Sequence, residues 1–301
     1  MHVRRTLPAA VFATIATGII VTACRTAGST PSATPSPQTT PRRTHENLNA
    51  VLWMQTAAEY RASALQAYRI ARLEVDAALA DRQWTAALEQ TGDPSALPPA
   101  VVLDLDETVL DNSAFEAREV ADSTPWKAVP YSEAAWNAWV AERKAGAIPG
   151  AAPFLKYAVS RGVTPIYITG RSAAVEQATR EQLAALGIPV DAPEDDVLTQ
   201  GEKGWNSSDK GARRAWVAAR YRILLLIGDN LEDFLSVPAA QKSIAGRAAL
   251  TDRYERYWGE KWIVLPNPTY GSWEQAIAFG LAHPSDDQML AAKYKALQLK
   301  R

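Results

Sequence analysis

The stretch VVLDLDETVLDN, residues 101–112, joins an apolar run to a dense group of acidic and amide side chains. Residues 101–103 are typical of a strand buried on both faces, and Asp104 and Asp106 follow where that strand should end. In a parallel sheet, ligands bind beyond the carboxyl ends of the strands. The stretch therefore predicts a buried strand that carries two carboxylates to a binding site. A polar loop or helix cap is the alternative interpretation.

The pattern continues along the chain as short apolar runs separated by helical segments. Ser172–Leu186 predicts a helix that ends before Gly187, a residue suited to the left-handed position after a helix. Continuous apolar strands that alternate with helices indicate a parallel sheet covered on both faces. We therefore expect an α/β fold with a Rossmann-like parallel sheet flanked by helices. Its strands are predicted at residues 100–105, 163–169, 223–228 and 262–265.

A smaller helical lobe is predicted from two segments. Residues 47–90 contain neither Pro nor Gly and have apolar residues at helical spacing, which predicts one long helix or two, ended by Gly92-Asp93-Pro94. Residues 112–150 interrupt the alternation of strands and helices and predict a helical insertion over the site. The expected domain spans residues 47–301, with its lobe at about 47–95 and 112–150.

Polar and charged side chains that are suited to catalysis follow the predicted strands. Thr169 closes the second strand, Asp229 follows the third, and Lys210 begins a helical run. We expect these side chains to meet Asp104 and Asp106 at one edge of the sheet. Phosphoryl transfer needs a nucleophile in line with the leaving oxygen and positive charge around the other oxygens. The combination of carboxylates, a hydroxyl and an ammonium suits that chemistry.

Each of these side chains can be given a part in phosphoryl transfer. A carboxylate can attack phosphorus and form an aspartyl phosphate. The carboxylate and the phosphate are both anions and repel each other, so a divalent cation must bridge them. Mg²⁺ favours carboxylate, water and phosphate oxygens, and Asp104 and Asp229 can supply the carboxylates. Asp106 can protonate the leaving alcohol, while Thr169 and Lys210 can hold the remaining phosphate oxygens.

These motifs, in this order, resemble those of the haloacid-dehalogenase-like phosphohydrolases that carry two aspartates in each acidic motif. The resemblance implies Asp104 as nucleophile and Asp106 as general acid and base, with Mg²⁺ as cofactor. The metal ligands it implies are Asp229, the Asp104 carboxylate and the Asp106 backbone carbonyl. It further implies that Asp233 binds Mg²⁺ or orients its ligands, and Glu232 is the alternative.

The match narrows to one branch of the superfamily. VVLDLDETVLDNS (101–113) and IGDNLEDF (227–234) resemble the signature pair of bacterial class C acid phosphatases. Residues 52–71, 136–151 and 265–274 also look like this family, so the resemblance covers nearly all of the chain after its N-terminal segment. It implies a lipid-anchored enzyme that dephosphorylates nucleotides and other organic monoesters, with an acidic pH optimum and a dimeric state.

Some positions leave alternatives open. The resemblance implies Thr169 and Lys210 as phosphate ligands, but Lys203 and Arg213 lie close to Lys210 in the sequence. Some family members have Asn where this chain has Gly170.

Three aromatic residues are candidates for stacking on a base or another aromatic leaving group: Phe115, Trp136 and Tyr270. Phe115 stands where Tyr is frequent in the family. Packing in the core of the helical lobe is the alternative for all three, and it is the expectation for Trp139.

The composition excludes several classes of protein. A net charge of −1 gives no reason to expect a nucleic-acid polymer as partner, because such proteins usually have a basic face. None of the three histidines lies near a predicted strand end, which argues against a phosphohistidine intermediate. The single cysteine rules out an internal disulfide.

The N-terminus predicts export. Residues 1–23 have a basic start, an apolar stretch and small residues at the end, as in a signal peptide. Cys24 follows directly, so the segment resembles a bacterial lipobox, and the resemblance implies a lipid on this residue. An ordinary secretory signal is the alternative. Residues 24–46 are rich in Ser, Thr and Pro, which predicts a disordered tether to the membrane of the cell envelope.

Three functional hypotheses follow. The first is a Mg²⁺-dependent, lipid-anchored phosphomonoesterase that hydrolyses 5′-nucleotides and other small phosphomonoesters. The second is a surface lipoprotein that binds a nucleotide-like ligand without turnover. The third keeps the chemistry but transfers the phosphoryl group to an alcohol instead of water.

Overall fold

The computed structural model describes residues 45–123, 131–190, 192 and 194–300. The predicted signal peptide, Cys24 and nearly all of the predicted tether lie outside these residues. Within the described ranges, no helix combines the length and the apolar character needed to cross a lipid bilayer.

Seven strands of the described residues form a five-stranded sheet and a small two-stranded sheet. They are β1 (Pro99–Leu103), β2 (Leu110–Asp111), β3 (Gly146–Ala147), β4 (Thr164–Ser172), β5 (Val197–Gln200), β6 (Arg222–Gly228) and β7 (Trp262–Val264). The large sheet has the order β5-β4-β1-β6-β7 with every pair parallel, and β2 pairs with β3 in a separate antiparallel sheet. The predicted α/β class and the four predicted strands are confirmed, and β5 is an addition.

Helices pack on the sheet and lie around the edge at which its strands end. They are α1 (Leu48–Thr56), α2 (Ala58–Ala80), α3 (Ser113–Asp122), α4 (Glu133–Glu142), α5 (Ala151–Ser160), α6 (Glu176–Ala185), α7 (Gly211–Ala218), α8 (Leu231–Phe234), α9 (Ile244–Arg253), α10 (Ser272–Ile277) and α11 (Asp286–Ala296). Helices α1 to α4 occupy the two segments predicted to be helical. Gly187, at φ +65°, lies just past the end of α6 as predicted.

The central strand β1 is buried on both faces. Val101 and Leu103 belong to the apolar core on one face of the sheet, while Ala100 and Val102 belong to the core on the other. Side chains alternate between the faces of a strand, so a continuous apolar run is what a doubly covered strand requires. This burial fixes the end of β1, and with it the position of Asp104.

The prediction that helix extends to residue 90 is wrong, because α2 ends at Ala80. The following segment is held by the sheet instead. The indole of Trp84 donates to the carbonyl of Leu224 at 2.8 Å, and the Ala86 N–H donates to the carbonyl of Ile223 at 2.8 Å. Strand β6 shifts register against β1 at this level, which leaves these carbonyls available. A tertiary contact therefore overrides the local helical preference.

Candidate active site

The ammonium of Lys210 lies between two carboxylates. Its Nζ is 2.6 Å from Asp104 Oδ1 and 2.6 Å from Asp233 Oδ1. Asp104 directly follows β1, Asp233 lies in α8 after β6, and Lys210 is the residue before α7. Parallel strands that end at one edge thus bring together three residues that are distant in sequence.

Asp229 completes the acidic cluster. Carboxylate oxygens of Asp104, Asp229 and Asp233 all lie within 4.8 Å of one another. Asp229 is held from both sides, because Thr108 Oγ1 donates to its Oδ1 at 3.1 Å and Asn267 Nδ2 donates to its Oδ2 at 3.0 Å. The cluster is therefore oriented by neutral donors as well as by Lys210.

The backbone at the end of β6 explains how Asp233 reaches this cluster. The Asn230 N–H donates to Asp233 Oδ2 at 2.9 Å, and the two residues form a capping box at the start of α8. A Cβ on Gly228 would lie 2.3 Å from Asp233 Oδ2 and 2.4 Å from its Cβ. Glycine is therefore required here because the Asp233 side chain packs against the backbone.

Burial and mutual repulsion perturb the carboxyl groups of the cluster. Burial raises the pKa of Asp104 to about 7, with Lys210 opposing the shift and Asp233 and Asp106 adding to it. Burial, followed by repulsion from Asp233 and Asp104, raises the pKa of Asp229 well above its usual range. Burial acts to lower the pKa of Lys210, but the two carboxylates outweigh it and the pKa is raised. The site holds more negative charge than its one ammonium can offset.

A different set of donors holds Asp106. Arg171 Nη2 donates to Asp106 Oδ1 at 2.7 Å, and Asn112 Nδ2 donates to the same oxygen at 2.9 Å. Asn112 is fixed in turn, because its Oδ1 accepts from the indole of Trp139 at 2.9 Å. Neither Arg171 nor Asn112 was predicted to be a site residue. The available signal was the spacing of Arg171, which lies two residues after Thr169 on the same strand.

Thr169 lies in the carboxyl half of β4, three residues before its end at Ser172, and β4 is next to β1 in the sheet. It is fully buried, and its Oγ1 accepts from the Arg171 N–H at 3.1 Å. The two alternatives to Lys210 face elsewhere. Lys203 pairs with Asp195 and its neighbour Glu202, and Arg213 donates to main-chain carbonyls. Lys210 is thus the one of these three cations that contacts Asp104.

The predicted aromatic candidates differ in exposure. Phe115 is 6% exposed and packs edge-on against Trp136, with ring centroids 5.1 Å apart. Trp136 and Tyr270 are half-buried, and the Tyr270 hydroxyl donates to Glu107 Oε2. Trp139 is 2% exposed, which confirms its expected place in the core. Trp136 and Tyr270 therefore offer more surface to a ligand than Phe115.

A cavity of about 410 Å³ opens beside Gly170, the residue after Thr169. Trp136 and Tyr131 contribute aromatic surface to its wall. Ser172 and Asn137 also line it, and the Ser172 Oγ and Asn137 Oδ1 atoms are buried without a hydrogen-bond partner. The cavity has room and unpaired polar atoms for a polar organic group next to the strand ends.

The acidic cluster fits a divalent cation. Its three carboxylates present only oxygen donors, the type that hard cations such as Mg²⁺ prefer. They face a single ammonium, so two negative charges are left to be offset within the cluster. Asp104, Asp229 and Asp233 are therefore the residues that would hold the ion.

A parallel sheet with acidic motifs at its carboxyl edge agrees with the haloacid-dehalogenase-like hydrolases. The sequence profile of the HAD superfamily, subfamily IIIB (Acid phosphatase), matches residues 13–273, and the chain belongs to this family. The protein is thus an acid phosphatase, an enzyme that hydrolyses phosphomonoesters.

Solved structures agree with this assignment. The class C acid phosphatase from Bacillus anthracis is 36% identical, with a TM-score of 0.71, over 84% of this chain and 97% of that one. A structure of the class C acid phosphatase from Bacillus anthracis with tungstate bound is 35% identical, with a TM-score of 0.70 and the same coverage.

Proposed function

We propose that this acid phosphatase is a Mg²⁺-dependent enzyme of the cell envelope that hydrolyses 5′-nucleotides and other organic phosphomonoesters through an aspartyl phosphate on Asp104. One observation carries the proposal. Lys210 and the carboxylates of Asp104, Asp229 and Asp233 lie together at the carboxyl edge of the sheet. That arrangement supplies a nucleophile, a fixed cation and ligands for a metal ion in one place.

In the first step, a carboxylate oxygen of Asp104 attacks phosphorus, and the bond from phosphorus to the ester oxygen breaks. Asp106 gives its proton to the departing oxygen, so the alcohol leaves neutral. In the second step, Asp106 takes a proton from water, whose oxygen attacks the phosphorus of the aspartyl phosphate, and the bond from phosphorus to the Asp104 oxygen breaks. Inorganic phosphate leaves, and Asp104 and Asp106 return to their starting states.

Charge in the site controls the first step. Attack requires Asp104 to be ionised, yet burial raises its pKa to about 7. Lys210 opposes that shift, and Mg²⁺ when bound would add positive charge to the same carboxylate and to the phosphate oxygens. Thr169 and Lys210 would then hold the phosphoryl oxygens that do not react, and Lys210 would exchange part of its contact with Asp104 for the substrate.

The relative with bound tungstate supports an oxyanion site in this family. Tungstate is a tetrahedral oxyanion like phosphate. The identity of 35% over 84% of the chain makes it reasonable to expect a comparable site here.

The surroundings of the strand ends support an organic leaving group of moderate size. The cavity of about 410 Å³ lies beside Gly170, and Trp136 forms part of its wall. Tyr270 is half-buried and its hydroxyl donates to Glu107, the residue after Asp106, so its ring is held near the general acid. A nucleoside could use such aromatic surfaces, since stacking on one ring is worth roughly 1–3 kcal/mol.

Substitution of the nucleophile tests the proposal. We expect Asp104→Asn to abolish hydrolysis of p-nitrophenyl phosphate while the protein stays folded, as judged by circular dichroism. Asp252→Asn, on the exposed surface of α9, is the matched control and should keep full activity. Retention of activity by Asp104→Asn would refute the aspartyl-phosphate route. Comparison of 5′-mononucleotides with sugar and aryl phosphates then ranks the substrates.

The envelope location rests on the N-terminal sequence. Cleavage before Cys24 and lipidation of its thiol would anchor the enzyme through the Ser- and Pro-rich tether. We expect Cys24→Ser to move the enzyme from the membrane fraction to the soluble fraction of the producing cells. An unchanged distribution would exclude the anchor.

A further inference from the structure

Arg213 is a buried cation with an unusual set of partners. It lies on α7, and its side chain is fully buried. Its Nη1 donates to the carbonyl of Thr169 in β4 at 2.5 Å and to that of Leu198 in β5 at 3.2 Å, which joins the two strands. Its Nε and Nη2 are buried and have no hydrogen-bond partner. Within the described part of the chain, Arg213 forms no ion pair with a carboxylate.

Such an arrangement is costly for folding alone. A buried charge without a counter-ion and a buried donor without an acceptor both destabilise a protein. Burial accordingly lowers the pKa of Arg213, while the charges of Asp104, Asp209 and Asp233 act in the opposite direction. A role in function would explain why the chain keeps a guanidinium here and not an apolar side chain.

The bond from Arg213 fixes one particular peptide group. In a trans peptide, the C=O and the following N–H point in opposite directions. Because Arg213 holds the carbonyl of Thr169, the N–H of Gly170 is directed away from Arg213. Strand β4 pairs with β5 at Ile168 and again only at Ser172, so this peptide lies where the regular pairing is interrupted.

The Thr169 hydroxyl is oriented in the same region. Its oxygen accepts the N–H of Arg171 at 3.1 Å, which leaves its O–H free to donate. A Cβ on Gly170 would meet nothing within 4 Å, so the space beside this peptide is open. A hydroxyl and a backbone N–H are the donors that phosphoryl oxygens commonly accept from.

We propose that Arg213 is a positioning residue for the phosphoryl group. It holds the Thr169–Gly170 peptide so that the Gly170 N–H and the Thr169 hydroxyl face the phosphoryl oxygens, and it adds an unneutralised positive charge behind them. This inference rests on the proposed function, in which Thr169 is a phosphate ligand.

Two substitutions separate geometry from charge. Arg213→Lys keeps the charge but replaces the planar guanidinium, whose Nη1 holds both carbonyls, with an ammonium on a shorter and more flexible side chain, so the peptide is held less rigidly. Arg213→Met removes both the charge and the donors. We expect Arg213→Lys to raise the Ki of inorganic phosphate and the KM for p-nitrophenyl phosphate by about 10- to 100-fold, the range expected when a charge-assisted hydrogen bond is lost. Arg213→Met should raise the Ki of phosphate and the KM for p-nitrophenyl phosphate further. In both variants kcat should fall by a smaller factor than KM rises.

The control is a second buried arginine with the same kind of contacts. Arg222 donates to the carbonyls of Ala78 at 2.9 Å and Asp81 at 2.5 Å, at the opposite end of β6 from the site. Arg222→Lys should lower the melting temperature as Arg213→Lys does, yet leave the Ki of phosphate unchanged. Folded Arg213 variants with a normal Ki and KM would overturn the proposal.

A measurement on the wild-type enzyme covers the case in which the Arg213 variants do not fold. Hydrogen exchange of the Gly170 amide should slow at least about tenfold when inorganic phosphate saturates the enzyme. Exchange that phosphate does not alter would also overturn the proposal. Failure of the wild type to hydrolyse p-nitrophenyl phosphate would instead refute the proposed function itself.

Discussion

The guanidinium of Arg171 holds the carboxylate of Asp106 by two nitrogens, with Nη2 at 2.7 Å and Nε at 3.0 Å from Oδ1. The Arg171 side chain is fully buried, and its remaining nitrogen donates to Thr179 Oγ1 at 3.1 Å. Asn112 also donates to Asp106 Oδ1. Among the described residues, Oδ2 receives only the longer contact from Nε, at 3.2 Å, so Oδ2 is the oxygen left to exchange a proton.

This geometry predicts that Arg171 positions the general acid. Arg171→Lys keeps the charge but loses the two-nitrogen contact, so the Asp106 carboxyl should rotate away from the leaving oxygen. General acid catalysis contributes about 10²–10⁴-fold, and it matters most for poor leaving groups. We therefore expect kcat to fall at least tenfold more for an alkyl phosphate than for p-nitrophenyl phosphate.

Arg118 provides the matched control for Arg171. It also contacts a carboxylate through two nitrogens, those 2.8 and 2.9 Å from Glu142, but this pair is exposed. Arg118→Lys should leave both kcat values close to those of the wild type. An equal loss for alkyl and aryl substrates in Arg171→Lys would point to a structural role and contradict the assignment.

The sequence predicted the strand ends well because the strands of this sheet are buried on both faces. The apolar runs at residues 100–103 and 223–227 leave no polar face for solvent, so each of them must be covered on both sides. The first polar residues after such strands then had to lie at the carboxyl edge. Asp104 and Asp229 were found by that reasoning, and the structure places them together. Lys210 was predicted from its place at the start of a helical run, and the structure places it against Asp104.

What escaped prediction depends on tertiary contacts. Strand β5 is only the four residues Val197–Gln200, too short to show a periodic signal. The end of α2 at Ala80 is set by contacts of Trp84 with the sheet, which no local pattern reports. Arg171 was missed because an arginine at a strand end is usually solvated, whereas this one is buried against Asp106.

The close packing of Gly228 against Asp233 predicts a specific defect in metal binding. In Gly228→Ala, the new Cβ would lie within 2.3 Å of Asp233 Oδ2, so the carboxylate must move away from the cluster. We expect activity to require at least about tenfold more Mg²⁺ for half of its maximum. Titration of activity with Mg²⁺ measures this shift.

Gly92→Ala is the control, because a Cβ there would meet nothing within 4 Å. Its Mg²⁺ requirement should equal that of the wild type. A normal Mg²⁺ requirement in Gly228→Ala would exclude Asp233 from the metal site.

The crowded carboxylates predict that Asp229→Asn is more stable than the wild type without metal and less stable with Mg²⁺. Burial and repulsion from Asp233 and Asp104 raise the pKa of Asp229, so its ionised form destabilises the metal-free protein at neutral pH. In EDTA at pH 7.5 (about neutral), Asp229→Asn should therefore melt at least ~2 °C above the wild type. With saturating Mg²⁺ the wild type should be the more stable of the two, because the ion binds the folded state. A variant that is less stable under both conditions would contradict this prediction.

The buried carboxyl of Glu116 predicts how stability depends on pH away from the catalytic cluster. Burial, with repulsion from Glu119, raises its pKa from 4.5 to about 7, while a hydrogen bond from Asn47 opposes the shift. Between these values the folded state keeps a proton that the unfolded state releases, so stability falls as pH rises through that window and stays lower above it. The shift corresponds to ~3 kcal/mol at most. Glu116→Gln should therefore raise the free energy of unfolding at about pH 8 but hardly change it at about pH 4, as measured by urea unfolding. Glu59→Gln, on the exposed face of α2, is the control and should give the wild-type pH profile. If Glu116→Gln raised the free energy of unfolding equally at both pH values, ionisation of this carboxyl would not be the cause.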